Sequence, residues 1–221
     1  MKGFDCYATV RPEWAPRLRA LGYDFFARYY RRAPLEGGRG NALARAEAKA
    51  LFDAGFQALA IYQNTSDTPA YFTIENARAD TAAALAAAAH HGQPKGTALY
   101  FAVDCNPAPD QLPAVERYFE RIMGAVTVGG YVVGAYGSGL VLQMLTARNL
   151  AERTWLANAK GWRGYQDWLS HADVVQTTLP FTLPFGLQID GNEARNDAGM
   201  WRPETKQPEA SIWERMLGWF R

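Results

Sequence analysis

The sequence predicts an α/β protein, a single (β/α)8 TIM-like barrel whose later repeats carry shortened helices. Three observations predict it. Short β-rich runs alternate with helical patterns along the chain, eight such runs can be counted, and three of them close on an aspartate. Those three are Gly3-Phe4-Asp5, Tyr100-Phe101-Ala102-Val103-Asp104 and Leu187-Gln188-Ile189-Asp190. A carboxylate at the tip of a buried strand is costly unless the fold gathers such tips into one wet pocket, as parallel barrels do.

The strands are expected over 3–7, 24–30, 57–63, 97–104, 131–136, 153–158, 173–178 and 186–190, from their β-branched and aromatic content and their flanking turn residues. Helices are expected over 12–21, opening on Pro12; over 42–54, capped by Asn41 and stopping at Gly55; and over 77–91, ending before Gly92. Two more are expected over 112–124, after Asp110, and over about 138–148. Proline inside the start and glycine past the end follow the asymmetry of helix termini. The connections after strands six and seven look short. Strand-helix-strand units cross over with one hand, and eight of them close a sheet on itself. A doubly wound open sheet would carry a Gly-rich first turn, and here that turn reads Asp5-Cys6-Tyr7-Ala8. Of the two Gly-rich stretches, Gly37-Gly38-Arg39-Gly40 reads as a loop before a helix cap, and Gly129 to Gly139 as a tightly packed barrel strand. The barrel is assigned to residues 1–203, its last part, from Gly191 on, a polar loop over the barrel top or the lead-in to a closing helix. A tail over 204–221 follows, with Ile212, Trp213, Met216, Leu217 and Phe220 at the spacing of a short amphipathic helix docked on the barrel wall.

Composition narrows the partners. At 221 residues and 48% hydrophobic the chain can bury one sizeable core. With 23 basic and 22 acidic residues interspersed, the net charge is +1, so no footprint for nucleic acid or an anionic membrane exists and a neutral substrate is the natural expectation. No run is long enough to insert in a membrane, and a monomer is expected. The N-terminus lacks a basic region followed by an apolar stretch, so no secretory signal is expected. Cys6 and Cys105 each follow a strand-end aspartate, so alternation turns them away from the shared surface, as free thiols.

The strand tips together carry the chemistry: Asp5 and Tyr7, Arg28 and Tyr29, Gln63 and Asn64, Asp104 and Asn106, Tyr136, Asn158, Gln176, and Gln188 with Asp190. Acids and amides pair with sugar hydroxyls, aromatic rings stack on pyranose faces, and two carboxylates can divide acid and nucleophile or stabiliser duty. Asp5, Asp104 and Asp190 are therefore the candidate catalytic residues. Tyr7, Tyr29, Gln63, Asn64, Asn106, Tyr136, Trp155 and Gln188 are the candidate substrate contacts. No cofactor and no metal are expected, because no histidine stands at a strand tip and no spaced Asp-x-Asp or His-x-His pair occurs there; a metal-dependent phosphodiesterase is the rival use of three carboxylates. Ser138 lacks the glycine two residues before it that a nucleophile elbow requires.

Five ordered motifs carry a resemblance: Gly3-Phe4-Asp5, Tyr100 to Asp104, Gly134-Ala135-Tyr136-Gly137-Ser138, Trp155-Leu156-Ala157 and Gln188-Ile189-Asp190-Gly191-Asn192. From about residue 3 to 203 the chain resembles the glycoside-hydrolase-like family catalogued as domain of unknown function 1906. That family is similar in turn to the family 25 lysozymes, muramidases that cleave peptidoglycan on a (β/α)8-type barrel. The lysozymes carry an Asp on strand one, an Asp-x-Glu pair on strand four and an Asp on the last strand. Asp5, Asp104 and Asp190 match three of these, while Asn106 stands where the acid Glu belongs. The resemblance implies a lysozyme-like hydrolase of peptidoglycan or another amino-sugar glycan, with Asp104 as acid, Asp5 or Asp190 ionised, and Asn106 orienting an acetamido group that serves as nucleophile. Its alternative is a barrel that binds cell-wall glycan without cleaving it. Peptidoglycan lies outside the cytoplasm, so the protein would act there after lysis or non-classical secretion, as a phage endolysin or an antibacterial effector does.

Overall fold

Seven strands run parallel in chain order: β1 (Lys2–Asp5), β2 (Phe25–Tyr30), β3 (Gln57–Tyr62), β4 (Ala98–Ala102), β5 (Val132–Gly137), β6 (Arg153–Leu156) and β7 (Val174–Gln176). The structure, a computed structural model, describes residues 1–32 and 42–203. The cap Asn41, the glycines at 37–40 and the tail over 204–221 lie outside the described residues. Two further strands follow, β8 (Phe181–Thr182) and β9 (Gln188–Ala194). β9 closes the barrel between β7 and β1 and runs antiparallel to both.

That reversal corrects the expectation of a parallel last strand. A parallel return needs a crossover of a dozen or more residues, and the chain between β7 and β9 instead folds into a hairpin. Phe181 pairs with Ile189 and Thr182 with Gln188, and Gly186 takes the positive φ of 91° that the hairpin end requires. Asp190 therefore does not end its strand; it sits near the start of a reversed one and still reaches the end of the barrel where Asp5 lies.

The same reversal sends the chain after β9 to the opposite end. Residues 198–201 pass beneath the barrel, where Tyr100 Oη donates to the Ala198 carbonyl at 3.0 Å and Ala58 and Trp201 exchange backbone hydrogen bonds at 2.9 and 3.0 Å. The segment read from sequence as a loop over the top or the lead-in to a closing helix is thus the rest of β9 followed by a plug in the bottom.

Helices α1 (Ala15–Ala20), α2 (Arg45–Asp53), α3 (Ile74–His91), α4 (Leu112–Val128) and α5 (Gly139–Ala147) pack outside the strands, and α6 (Tyr165–Trp168) is a single turn. The N-termini of α3 and α5 are capped by side chains: Thr73 Oγ1 accepts from the Asn76 N–H at 3.1 Å, and Ser138 Oγ from the Val141 N–H at 3.3 Å. Ser138 is thus a helix cap. None of the described helices is long and apolar enough to cross a membrane.

Alternation along each strand divides the core in two. Phe25, Ala27, Leu59, Ile61, Ala98, Tyr100, Ala102, Trp155 and Val174 fill the barrel interior. Phe4, Phe26, Tyr30, Tyr62, Phe101, Val133 and Leu156 face the helices. Two interior glycines make room for large neighbours. A Cβ on Gly3 would collide with the Phe25 ring, and one on Gly134 would stand 2.6 Å from Tyr100 Cγ. The barrel floor is therefore solid aromatic packing, and only its upper end is open. Cys6 and Cys105 are buried free thiols in the outer layer, as alternation requires.

Candidate active site

At that upper end, side chains from all eight strands of the barrel or from the loops just beyond them border a cavity of about 270 Å³. β1 supplies Asp5, β2 Tyr29, β3 and its exit Ile61 and Gln63, and the exit of β4 Asp104. β5 supplies Tyr136, β6 and its exit Trp155 and Asn158, β7 and the following loop Gln176, Thr178, Leu179 and Pro180, and β9 Asp190. Acids, amides and aromatic rings thus make up most of the lining, with Ile61 and the Thr178–Pro180 segment completing it.

Asp5 and Asp190 are direct partners in the β1–β9 register. Opposed residues in an antiparallel pair hold their Cβ atoms about 4.5–5.5 Å apart on one face of the sheet, so these two carboxyls are neighbours. Asp5 is 5% exposed, and its Oδ2 accepts from Asn192 Nδ2 at 2.8 Å and from Gln176 Nε2 at 3.1 Å. Asn192 is oriented in turn by Trp155, whose Nε1 donates to its Oδ1 at 2.9 Å. Gln176 is fixed by the Asn158 backbone N–H, which donates to its Oε1 at 3.1 Å. Burial pushes the Asp5 carboxyl up to about 7, helped by the Asp190 charge and opposed by the two amide donors. Burial also lifts Asp190 to about 6. The two acids therefore titrate as a pair near neutrality and retain a proton where an ordinary aspartate is ionised.

Asp104 belongs to the other wall. In a ring of eight strands β4 lies four places from β9, so Asp104 faces Asp190 across the cavity. Its Oδ2 accepts from Gln63 Nε2 at 2.9 Å. Burial raises its carboxyl, the Gln63 donor lowers it and the Asp67 charge raises it. Among the described residues no three His, Cys, Asp or Glu side chains are grouped as metal ligands would be; the three aspartates are spread around the cavity.

The structure thus brings Asp5, Asp104, Asp190, Tyr29, Gln63, Tyr136 and Trp155 together. It does not bring in four other expected contacts. Tyr7 lies beyond the end of β1 and is 65% exposed. Asn64, one residue past Gln63, hydrogen-bonds Tyr71 through its side chain. Gln188 is exposed because β9 is reversed and begins there on the hairpin. Asn106 Oδ1 accepts from the Arg163 N–H at 3.0 Å, and the Asn106 carbonyl accepts from Arg163 Nη1 at 3.2 Å. It ties two loops together and does not line the cavity, so the role of orienting an acetamido group has no geometric support. Arg28 at the tip of β2 is also structural: fully buried, it donates from Nε to Glu47 Oε1 at 2.7 Å and from Nη1 to the Cys6 carbonyl at 2.6 Å. Glu47 Oε1 accepts from Val10 N–H as well, at 2.8 Å, so this pair pins the loop after β1 onto the start of α2.

Sequence reasoning missed Asn192 as the residue that holds Asp5, and Thr178 to Pro180 as a wall. Asn192 was legible as period two from Asp190, on the same face of one strand. The hairpin wall was not, because it follows from the reversal of β9.

This geometry has relatives. A family model described as Rv2525c-like, glycoside hydrolase-like domain matches residues 16–194. The chain belongs to that family. The match agrees with the resemblance carried by the five motifs. Among curated proteins, the uncharacterized protein FadG of Bacillus subtilis (strain 168) is 27% identical over 155 residues, covering 66% of this chain and 26% of FadG. This Rv2525c-like chain thus spans about a quarter of that relative. Among solved structures, the Mycobacterium tuberculosis Tat-secreted protein Rv2525c, in complex with L-tartrate, superposes with a TM-score of 0.71 at 22% identity, over 91% of this chain and 98% of that one. The modular autolysin LytC of Streptococcus pneumoniae, in complex with a synthetic peptidoglycan ligand, gives 0.57 at 14% identity, over 86% and 46%. At such identities the likeness shows the fold. The protein is a glycoside hydrolase-like barrel, similar in structure to the lysozyme and endolysin domains.

Proposed function

We propose that this barrel is a glycoside hydrolase acting on peptidoglycan or a related amino-sugar glycan. One observation carries the reading: two neighbouring carboxyls that hold a proton near neutrality face a third carboxyl across a cavity walled by Tyr29, Tyr136 and Trp155. An acid–carboxylate pair flanking a sugar ring is the minimal machinery for glycosidic cleavage. Asp190, the more exposed member of its pair, protonates the leaving oxygen, and Asp5 behind it keeps the proton available by its burial and charge. Asp104, whose carboxyl is raised by burial and lowered by the Gln63 amide, supports positive charge at the anomeric carbon or activates water from the other wall in its ionised form. The acid expected at Asp104 thus moves to the Asp5–Asp190 pair, where the proton is better held. The Tyr29 and Tyr136 rings supply the stacking faces for the sugar.

The test is release of reducing ends from purified peptidoglycan by the wild-type chain and by Asp190→Asn and Asp104→Asn. Loss of an acid or base group costs about 10²–10⁴ in rate. Both variants should fall in that range, with the high-pH limb of the profile lost in Asp190→Asn only. Wild-type turnover in both would remove these residues from the mechanism. A second reading, a barrel that binds glycan without cleaving it, is favoured by one observation: Asn106, at the position of the lysozyme acid, is bonded to Arg163 and offers no proton. Either way the glycan lies outside the cytoplasm, so this reading places the site of action there.

A further inference from the structure

The cavity is unbalanced in its hydrogen bonding. Its carboxylates are Asp5, Asp104 and Asp190, and among the described residues no Lys, Arg or His lines it. Three amide donors of the wall are already used inside it: Gln63 Nε2 on Asp104, and Gln176 Nε2 and Asn192 Nδ2 on Asp5. The Trp155 Nε1–H is used on Asn192. Asn158 Oδ1, on the cavity wall, is buried and accepts no hydrogen bond. What a ligand meets is dominated by carboxyl and amide oxygens, with the hydroxyls of Tyr29 and Thr178 and the Tyr29 and Tyr136 rings beside them, in a protein whose net charge of +1 gives no general attraction for cations.

Among the described residues, the nearby arginines are engaged elsewhere. Arg28 is buried against Glu47. Arg31 Nη1 donates to the Asn64 carbonyl at 3.2 Å, with its guanidinium 5.5 Å from the Tyr29 ring centroid, and it does not line the cavity. An acetamido group would want a donor for its carbonyl, and Asn106, the residue expected to handle it, is held away by Arg163. An ammonium, in contrast, brings three donors and one positive charge, and aromatic faces attract it further.

From this we propose that the cavity recognises an amino sugar with a free amine, a de-N-acetylated glycan, in preference to its N-acetylated form. The inference rests on the glycan-hydrolase reading and deepens it by naming the substrate class. The ammonium would sit among Asp104, Asp190 and the Tyr29 and Tyr136 rings, with Asn158 Oδ1 as a further acceptor.

Calorimetric titration of the full chain with three probes tests it: the β-1,4-linked tetramers of glucosamine, of N-acetylglucosamine and of glucose. The expected order places the glucosamine tetramer about tenfold or more ahead of the other two, tenfold being about 1.4 kcal/mol. Asp104→Asn and Asp190→Asn should each erase most of that preference. Asp53→Asn, at an exposed ion pair with Lys49 remote from the cavity, should leave it intact. The wild-type comparison stands alone if either cavity variant fails to fold. Equal or tighter binding of the N-acetylated tetramer overturns the inference and leaves the hydrolase reading standing. A preference that survives in both cavity variants also overturns it, because the attraction then lies elsewhere. No binding of any tetramer, with no cleavage of peptidoglycan, overturns both.

Discussion

Asp5→Asn should make the protein more stable at neutral pH while removing the carboxyl nearest Asp190. The carboxyl is 5% exposed and rises from 3.8 to about 7 on folding. A group whose folded value is raised binds its proton more tightly in the native state, so the stability it contributes is full below its unfolded value and is lost as pH climbs through the folded one. One unit corresponds to about 1.36 kcal/mol, so a rise of this size corresponds to about 4 kcal/mol as an upper bound. Asparagine keeps the shape, and its carbonyl can accept from Asn192 and Gln176 as Asp5 Oδ2 does. Equilibrium urea unfolding of both proteins between about pH 4 and pH 8 measures the effect, with the slope per unit pH giving the protons taken up on folding. The variants should match near pH 4 and diverge upward, with Asp5→Asn gaining up to about 4 kcal/mol by pH 8 and retaining a smaller slope from Asp190. A wild-type slope unchanged by the substitution would refute the argument, because Asp5 would then ionise as an ordinary surface acid.

Other expectations follow from the same contacts. Glu47→Ala leaves Arg28 buried and unpaired and should cost about 3–5 kcal/mol in urea unfolding. Gly3→Ala overpacks the barrel interior against Phe25 and should cost about 1–3 kcal/mol, partly recovered when Phe25→Leu is added. Trp155→Phe keeps the aromatic wall but removes the donor that orients Asn192; a loss of about 1–3 kcal/mol is expected. Carboxyl NMR should then show Asp5 titrating higher still, because the Asn192 donor that lowers it is loosened.

The barrel was legible in the sequence because its first seven repeats obey local rules. Apolar runs such as Tyr100 to Val103 are bounded by turn residues, and Pro12, Thr73 and Gly92 stand at or beside helix ends. The direction of the last strand was not legible, since a reversed strand has the same period as a parallel one and the difference lies in the hairpin at 181–190. That one missed reversal accounts for two misplacements: Gln188, expected at the pocket, and the segment after Asp190, expected over the top. Asp190 was correctly grouped with Asp5 for an incomplete reason, a strand-end position where the structure has a register pairing. Asn106 shows the other limit. Its spacing from Asp104 matches the lysozyme pair, but four residues beyond β4 the chain has left the strand, and the Arg163 backbone decides where the side chain goes. Tyr7 fails in the same way, two residues beyond the end of β1.

The most direct test of the account is product analysis of purified peptidoglycan incubated with the wild-type chain at mildly acidic pH, by mass spectrometry together with a reducing-end assay. The account expects new sugar reducing ends, with activity falling as pH rises through the 6 to 7 range of the Asp190 and Asp5 carboxyls. Glycan that binds the protein and is recovered uncut at every pH would contradict it and leave a binding barrel in place of an enzyme.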